Sequence, residues 1–282
     1  MLSLAGALMD TPAQSAVTAL AFDLALLSDV GTNRDNNEDA CGSHEESYNS
    51  VIFAIADGVG GYEGGEIASA QAVEVTLTAF RESPTAWGPA KRLHRAVQRA
   101  NIEIHNRALT VPELRRMATT LTAVVVSDGV LHAAHVGDCR IYHIRRGKLH
   151  QISKDHTMIQ ERVRMGLMSP ARARHHPERS ALSRCLGHEL IVAVDRITIP
   201  LQEKDQILVC TDGLYNVIED DEFVHLIRGL DASTACRQLI ELANKRGTAD
   251  NLTVAIFTSN ADSPPARPGW RHRIASLFRS RA

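Results

Sequence analysis

Four short, widely separated segments carry most of the residues in this chain that could do chemistry. They are Arg-Asp-Asn-Asn-Glu-Asp from Arg34 to Asp39, Asp-Gly-Val-Gly-Gly from Asp57 to Gly61, Cys-Thr-Asp-Gly from Cys210 to Gly213, and Thr-Ala-Asp-Asn from Thr248 to Asn251. In three of them an Asp stands at the edge of an apolar, β-branched run, where a strand gives way to a turn. Carboxylates brought together from several strand ends repel one another unless cations neutralise them. Ligands made only of oxygen suit hard divalent ions such as magnesium or manganese. The residue types therefore ask for a metal site.

Strands and helices must deliver those residues to one place. Ala19–Leu27 and Val51–Ala56 are strand-like, separated by the polar loop that holds Arg34, Glu38 and Asp39. After a glycine-rich loop at 58–65, Ile67, Ala70, Val73, Leu77 and Phe80 recur at helical spacing, as do Leu93, Val97, Ala100 and Ile104. Thr122–Ser127 and Val130–His135 flank Asp128-Gly129, a hairpin signal. Arg140–Arg145 turns at Arg146-Gly147 into Leu149–Ile152. Residues 155–182 are polar, rich in His and Arg, and interrupted by Gly166, Pro170 and Pro177, which predicts a mobile excursion with one or two short helices. Strands return at Ile191–Ile199, Gln206–Cys210 and Leu252–Phe257, with helices over Glu222–Leu230 and Ser233–Lys245. This order predicts an α+β fold of two stacked antiparallel sheets covered by helices.

The bulk numbers bound the rest. The chain has 282 residues, 44% of them hydrophobic, enough for a sizeable core, and a net charge of −2 that points to neither nucleic acid nor an anionic membrane. Five of the arginines (267, 271, 273, 279 and 281) fall in residues 261–282 with a single acid, Asp262, so an acidic body precedes a basic tail. The five cysteines (41, 139, 185, 210 and 236) are scattered, with no Cys-x-x-Cys, which fits a reducing compartment. The apolar start at Met1–Met9 lacks the basic residues of a secretory signal, Arg34 being the first. A cytoplasmic, monomeric protein is expected, with residues 1–18 a weakly structured leader, 19–260 the folded domain and 261–282 a proline-containing linker and tail.

Each motif alone has a plain alternative. Asp128-Gly129 is a hairpin turn. Asp57 and Asp212 divide evenly between turn residues and ligands, and the glycines after Asp57 (60, 61, 64 and 65) would let a backbone carbonyl such as that of Gly58 approach an ion. Glu38 and Asp39 could be a solvated loop or a helix cap, Asp250-Asn251 a plain turn, and Arg34 a surface arginine.

Their order in one chain changes this balance. Ser28 to Gly31 (Ser-Asp-Val-Gly), Arg34, Asn37 to Asp39, Asp57 to Gly61, Thr119 to Thr122, Val136 to Arg140, Asp155-His156, His176 to Arg179, Leu186-Gly187, Thr211 to Leu214 and Asp250 to Thr253 together resemble the metal-dependent Ser/Thr protein phosphatases of the 2C (PPM) type, in its bacterial form. The resemblance runs from about Leu24 to Phe257.

The resemblance implies an α-β-β-α sandwich with metals at one end, hydrolysing phosphoserine and phosphothreonine on proteins through a water that bridges two manganese or magnesium ions. Asp57 would bridge the ions, the Gly58 carbonyl would join it, and Asp212 and Asp250 would complete one ion's shell. Glu38 and Asp39 would hold metal-bound waters, and Asp138 would join Asp212 around a third, weaker ion. Arg34 would grip the phosphate in bidentate fashion, which lysine could not copy. The excursion at 155–182 would be a flap beside the site. A cognate Ser/Thr kinase would be the opposing partner.

One departure matters. Many eukaryotic members of the family have His where this chain has Val59, and bacterial members often have Val or Met there, which leaves the leaving-group proton donor unassigned; His156 or a third-metal water is a candidate. Cys139 stands where Ser is usual, and Ser180 and Ser183 in the flap are mild changes. In the tail, Trp270, Ile274, Leu277 and Phe278 fall on one helical face among arginines, a pattern that could dock on anionic lipid or an acidic groove or serve only as a solubilising tail. A catalytically dead binding module and an anti-sigma-factor antagonist share the fold. Retention of Asp57, Asp212 and Asp250 argues against the first, and the lack of a sensory domain against the second.

Overall fold

The computed structural model describes residues 22–47, 49–59, 64–174 and 176–260. The leader at 1–18, the tail at 261–282 and the glycines at 60 and 61 lie outside the described residues. β1 (Phe22–Asp29), β2 (Asp39–Ser47) and β3 (Ser50–Asp57) precede two long helices, α1 (Gly65–Glu82) and α2 (Pro89–Thr110). β4 (Leu121–Ser127), β5 (Val130–Val136), β6 (Arg140–Arg145) and β7 (Lys148–Gln151) follow, and then the short helices α3 (Met158–Arg164) and α4 (Pro170–Arg174). The described residues finish with β8 (Asp195–Pro200), β9 (Gln206–Cys210), α5 (Asp212–Tyr215), α6 (Asp220–Ile227), α7 (Ala232–Lys245) and β10 (Leu252–Ser259).

The strands form two antiparallel five-stranded sheets, ordered β1-β10-β9-β6-β7 and β2-β3-β4-β5-β8. Side-chain alternation makes the layers. In β3, Ile52, Ala54 and Ala56 pack beneath α1 and α2, while Val51, Phe53 and Ile55 face the other sheet. In β10, Val254 and Ile256 face α6 and α7, while Ala255 and Phe257 face inward. Each sheet is thus apolar on both faces, which is why these strands read as continuous hydrophobic runs. The architecture is the expected α-β-β-α sandwich. Among the described residues no helix is long and apolar enough to cross a membrane.

Both hairpin turns carry the backbone their sequences demand. Asp128 and Gly129 have φ of 51° and 70°, and Arg146 and Gly147 have 52° and 74°. Consecutive left-handed residues make the type I′ turn that matches strand twist. Other expectations need correction. β2 occupies residues expected only as polar loop; it is an edge strand whose sequence (Asp-Ala-Cys-Gly-Ser-His-Glu-Glu-Ser) has no β-branched residue. The strand expected over Ile191–Ile199 starts only at Asp195, because Val192 instead gives its carbonyl to Gln98 of α2 and Ile191 is exposed. α6 ends at Ile227 rather than Leu230, since Gly229 takes a left-handed φ of 76°.

Phe257 anchors the layer between the sheets, its ring stacked on Phe22 at 5.6 Å and on Phe53 at 6.4 Å. Phe257→Ala should lower unfolding free energy in urea by about 3–5 kcal/mol. A loss under about 1 kcal/mol would mean this aromatic stack is not part of the packed core.

Candidate metal and phosphate site

The two sheets bring their acidic residues to one end of the sandwich. From one sheet, the β2–β3 hairpin sets Asp39 opposite Asp57 in antiparallel register. Asp57 closes β3, and two threonines before β4 fix its backbone. Its N–H donates to Thr120 Oγ1 (2.9 Å), and its carbonyl accepts from Thr120 N–H (2.9 Å) and the Thr119 hydroxyl (2.8 Å). From the other sheet, Asp212 follows β9 and opens α5, while Asp250 lies just before β10. The Thr211 hydroxyl donates to Asp39 Oδ2 at 2.9 Å, a direct tie between the sheets. Asp138 sits in the β5–β6 connection, buried, with its carbonyl accepting from Tyr215 OH (3.1 Å).

Burial and mutual repulsion dominate the electrostatics. Burial pushes the Asp57 carboxyl well above its ordinary range, and Asp39, Asp212, Asp138 and Asp250 push in the same direction. Asp138 is raised well above its usual value by burial, then by Asp212 and Asp155. Asp39 is pushed up to about 7, chiefly by burial, against the hydrogen bonds from Thr253 and Thr211. Asp212 is raised by burial and then by Asp250. Glu38 is raised by burial, although Arg34 opposes the shift. Such a set is costly to ionise without added positive charge.

The arrangement gathers the carboxylates without closing them on a point. Among the described residues, no three His, Cys, Asp or Glu side chains converge tightly enough to hold one ion. Several have protein partners instead. Asp212 Oδ2 accepts from Asn216 (3.1 Å) and from the flap's Ser180 hydroxyl (3.3 Å). Asp250 is bound by Arg34, whose Nη2 lies 2.9 Å from Oδ1 and 3.0 Å from Oδ2. Arg34, expected as a phosphate grip, thus sits at the exposed rim on a candidate metal ligand. Gly58 is held by its N–H on the Glu38 carbonyl (3.0 Å), and a Cβ there would strike the Gly65 carbonyl, so only glycine fits.

The excursion at 155–182 stands beside this centre. α3 is capped by Thr157, and Ile159 and Ala173 anchor the segment from beneath. A cleft of about 400 Å³ separates it from α5 and α6, lined by Arg140, Asp155, Arg179, Ser180, Tyr215 and Asn216 among others. His156, a candidate proton donor, faces the wrong way. It is 1% exposed, its Nδ1 accepts from Gly137 N–H (3.0 Å), and its Nε2 lies 3.2 Å from the Asp195 carboxylate. These contacts tie the start of the 155–182 segment to Gly137 and Asp195.

Sequence reading named the carboxylates but not what orients them. Thr119, Thr120, Thr211 and Asn251 do that work. Thr211 and Asn251 stand beside Asp212 and Asp250 in their motif blocks, whereas Thr119 and Thr120 belong to a separate block that only the fold brings to Asp57.

A family model for Protein phosphatase 2C matches residues 31–253. The chain belongs to the protein phosphatase 2C family. A relative from Listeria welshimeri, Serine/threonine phosphatase stp, is 34% identical over 237 residues, covering 83% of this chain and 94% of its own. Serine/threonine protein phosphatase PstP of Mycobacterium tuberculosis is 34% identical over 241 residues, which are 84% of this chain and 45% of that longer protein. The crystal structure of the Mycobacterium tuberculosis serine/threonine phosphatase PstP/Ppp aligns with a TM-score of 0.76 at 33% identity, covering 85% of this chain and 99% of that one. A PstP catalytic domain in complex with 2 manganese ions aligns with a TM-score of 0.74 at 32% identity, covering 84% of this chain and 97% of that one.

A divalent metal cofactor accompanies this family, and the donor set fits it. Asp57, Asp138 and Asp212 offer only oxygen donors, and their pKa values are raised first by burial and then by neighbouring carboxylates. Because their folded pKa values are raised, the stability they contribute is present at low pH and lost as pH climbs, through about 7 for Asp39. In chelator at pH 8, Asp57→Asn should therefore raise the melting temperature. It should also abolish the further rise that manganese gives the wild-type chain. A manganese-induced rise of equal size in both proteins would remove Asp57 from the metal shell.

Proposed function

We propose that the chain is a protein-serine/threonine phosphatase that hydrolyses phosphoserine and phosphothreonine on proteins at this acidic centre. The observation that carries the reading is the collection of buried, mutually repelling carboxylates beside a rim arginine. It supports a site whose substrate brings an anion and whose cofactor brings the balancing charge. Asp57, the Gly58 carbonyl, Asp212 and Asp250 would hold two manganese or magnesium ions, with Glu38 and Asp39 acting through water and Asp138 contributing to a third, weaker ion. When bound, such ions supply a water of lowered pKa and neutralise charge on the phosphoryl oxygens.

The chain's own residues then have distinct tasks. Arg34 offers a planar, permanently charged fork for the phosphate, and its exposed position at the rim suits an incoming group. Thr119 and Thr120 keep Asp57 fixed, and Thr211 keeps Asp39 turned inward. Phosphoryl transfer depends on positioning and charge more than on covalent help, so this scaffold is the protein's main contribution. The setting we infer is a cytoplasmic monomer that opposes a Ser/Thr kinase, with a basic tail that turnover does not need.

Purified protein should hydrolyse p-nitrophenyl phosphate and a phosphothreonine peptide only with manganese or magnesium, and chelator should abolish turnover. Asp57→Asn or Asp212→Asn should cut kcat by roughly a thousandfold or more, whereas Arg34→Ala should act mainly on KM. Undiminished turnover in Asp57→Asn would overturn the proposal. Removal of residues 262–282 should leave peptide turnover intact; a large loss would make the tail part of the catalytic body.

A further inference from the structure

Asn251 is 3% exposed, and its side chain joins loops distant in sequence. Its Oδ1 accepts from Glu38 N–H at 2.9 Å, and its Nδ2 donates to the carbonyls of Val30 (2.8 Å) and Asn36 (2.9 Å). Its own backbone N–H donates to Asp250 Oδ1 at 2.9 Å. One residue therefore touches both ends of the loop that carries Arg34 and also the carboxylate that Arg34 grips.

That loop has little else to shape it. Gly31 to Glu38 contains no large apolar side chain and no strand or helix, so hydrogen bonds must define its course. Most of the available bonds come from the segment before β10. Asn33 Nδ2 donates to the Thr248 carbonyl (2.7 Å), and Arg34 Nε to that of Ala249 (3.3 Å). The two segments are pressed together: at Gly31, with φ of 79°, an added Cβ would lie 2.5 Å from the Asp250 carbonyl oxygen.

We propose that Asn251 is a positioning residue for phosphate binding, holding the Arg34 loop in register with Asp250 without touching substrate. The proposal rests on the phosphatase reading above. The amide is chemically specific here. Aspartate would keep the acceptor for Glu38 but would set an anion against two carbonyls and beside Asp250. Loss of the two donors frees the loop, so the effect should appear where Arg34 acts.

The test compares wild type with Asn251→Asp, Asn33→Ala, Arg34→Ala and the Arg34→Ala/Asn251→Asp double variant, all with manganese. KM for p-nitrophenyl phosphate, the inhibition constant of inorganic phosphate, kcat and melting temperature are measured. Asn251→Asp should raise KM and the phosphate inhibition constant about tenfold while changing kcat less than about threefold. In the Arg34→Ala background the same change should add less than about twofold, because the two residues act as one unit. Asn33→Ala, at an exposed tether of the same loop, should raise KM by about two- to fourfold. Equal effects of Asn251→Asp in both backgrounds, or a loss of kcat with unchanged KM and phosphate inhibition, would overturn the proposal. Should Asn251→Asp fail to fold, an unchanged KM in Asn33→Ala would overturn it. An inactive wild-type protein would overturn the phosphatase reading itself, and the inference with it.

Discussion

The structure is organised around one unfavourable interaction, the repulsion among carboxylates buried at one end of two stacked sheets. Burial alone is not what sets this centre apart. At the other end of β9, Asp205 is only 1% exposed, yet its carboxylate is held below its usual pKa by Arg145, Gln202 N–H and His143, which outweigh its burial. Arg145 reaches it through Nε at 2.9 Å and Nη2 at 2.5 Å. Asp155, beside the flap, is likewise clamped by Arg140 at 2.9 Å. Asp57 and Asp138 have no comparable cation on them, and both are driven well above their ordinary pKa. At Asp205 and Asp155 an arginine clamps the carboxylate directly, whereas at Asp57 and Asp138 burial and neighbouring carboxylates prevail, and Arg34 reaches the centre only at its rim, on Asp250.

Holding such groups together takes a stiff frame. The frame here is built from paired strand ends: Asp39 against Asp57 across a hairpin, Asp212 after β9, and Asp250 before β10. Hydroxyl and amide side chains then fix the orientations that strand pairing leaves free. Thr211 links the sheets through Asp39, Thr119 and Thr120 hold the Asp57 backbone, and Asn251 ties Glu38 to Asp250. The sandwich core beneath them, with Phe53 and Phe257 stacked between sheets, keeps the two halves of the site in register.

Much of this was legible in the residues. The ends of β9 match the expected Gln206–Cys210 because a compact apolar run meets a Thr-Asp-Gly turn, and the Asp-Gly and Arg-Gly pairs mark both hairpin turns. The acidic segments point to a common centre because in three of the four an Asp stands at the edge of a strand-like run. Edge strand β2 escaped notice because its outward half needs no hydrophobic residues. The hold of Arg34 on Asp250 was also beyond reach, since a contact between residues 216 positions apart depends on loop geometry that no periodicity encodes. His156 misled for the opposite reason. A histidine next to Asp155 in a motif invites a chemical role, whereas its ring is turned inward to Gly137 and Asp195.

Calorimetric titration of manganese into chelator-treated protein near pH 7, repeated in buffers of different ionisation enthalpy, tests this account most directly. Burial and mutual repulsion raise the pKa of these carboxylates, so a cation bound among them pulls their titration down and releases the protons they hold. The account predicts uptake of about two ions per chain together with measurable proton release, reduced in Asp57→Asn. Metal uptake without proton release, or none at all, would contradict it.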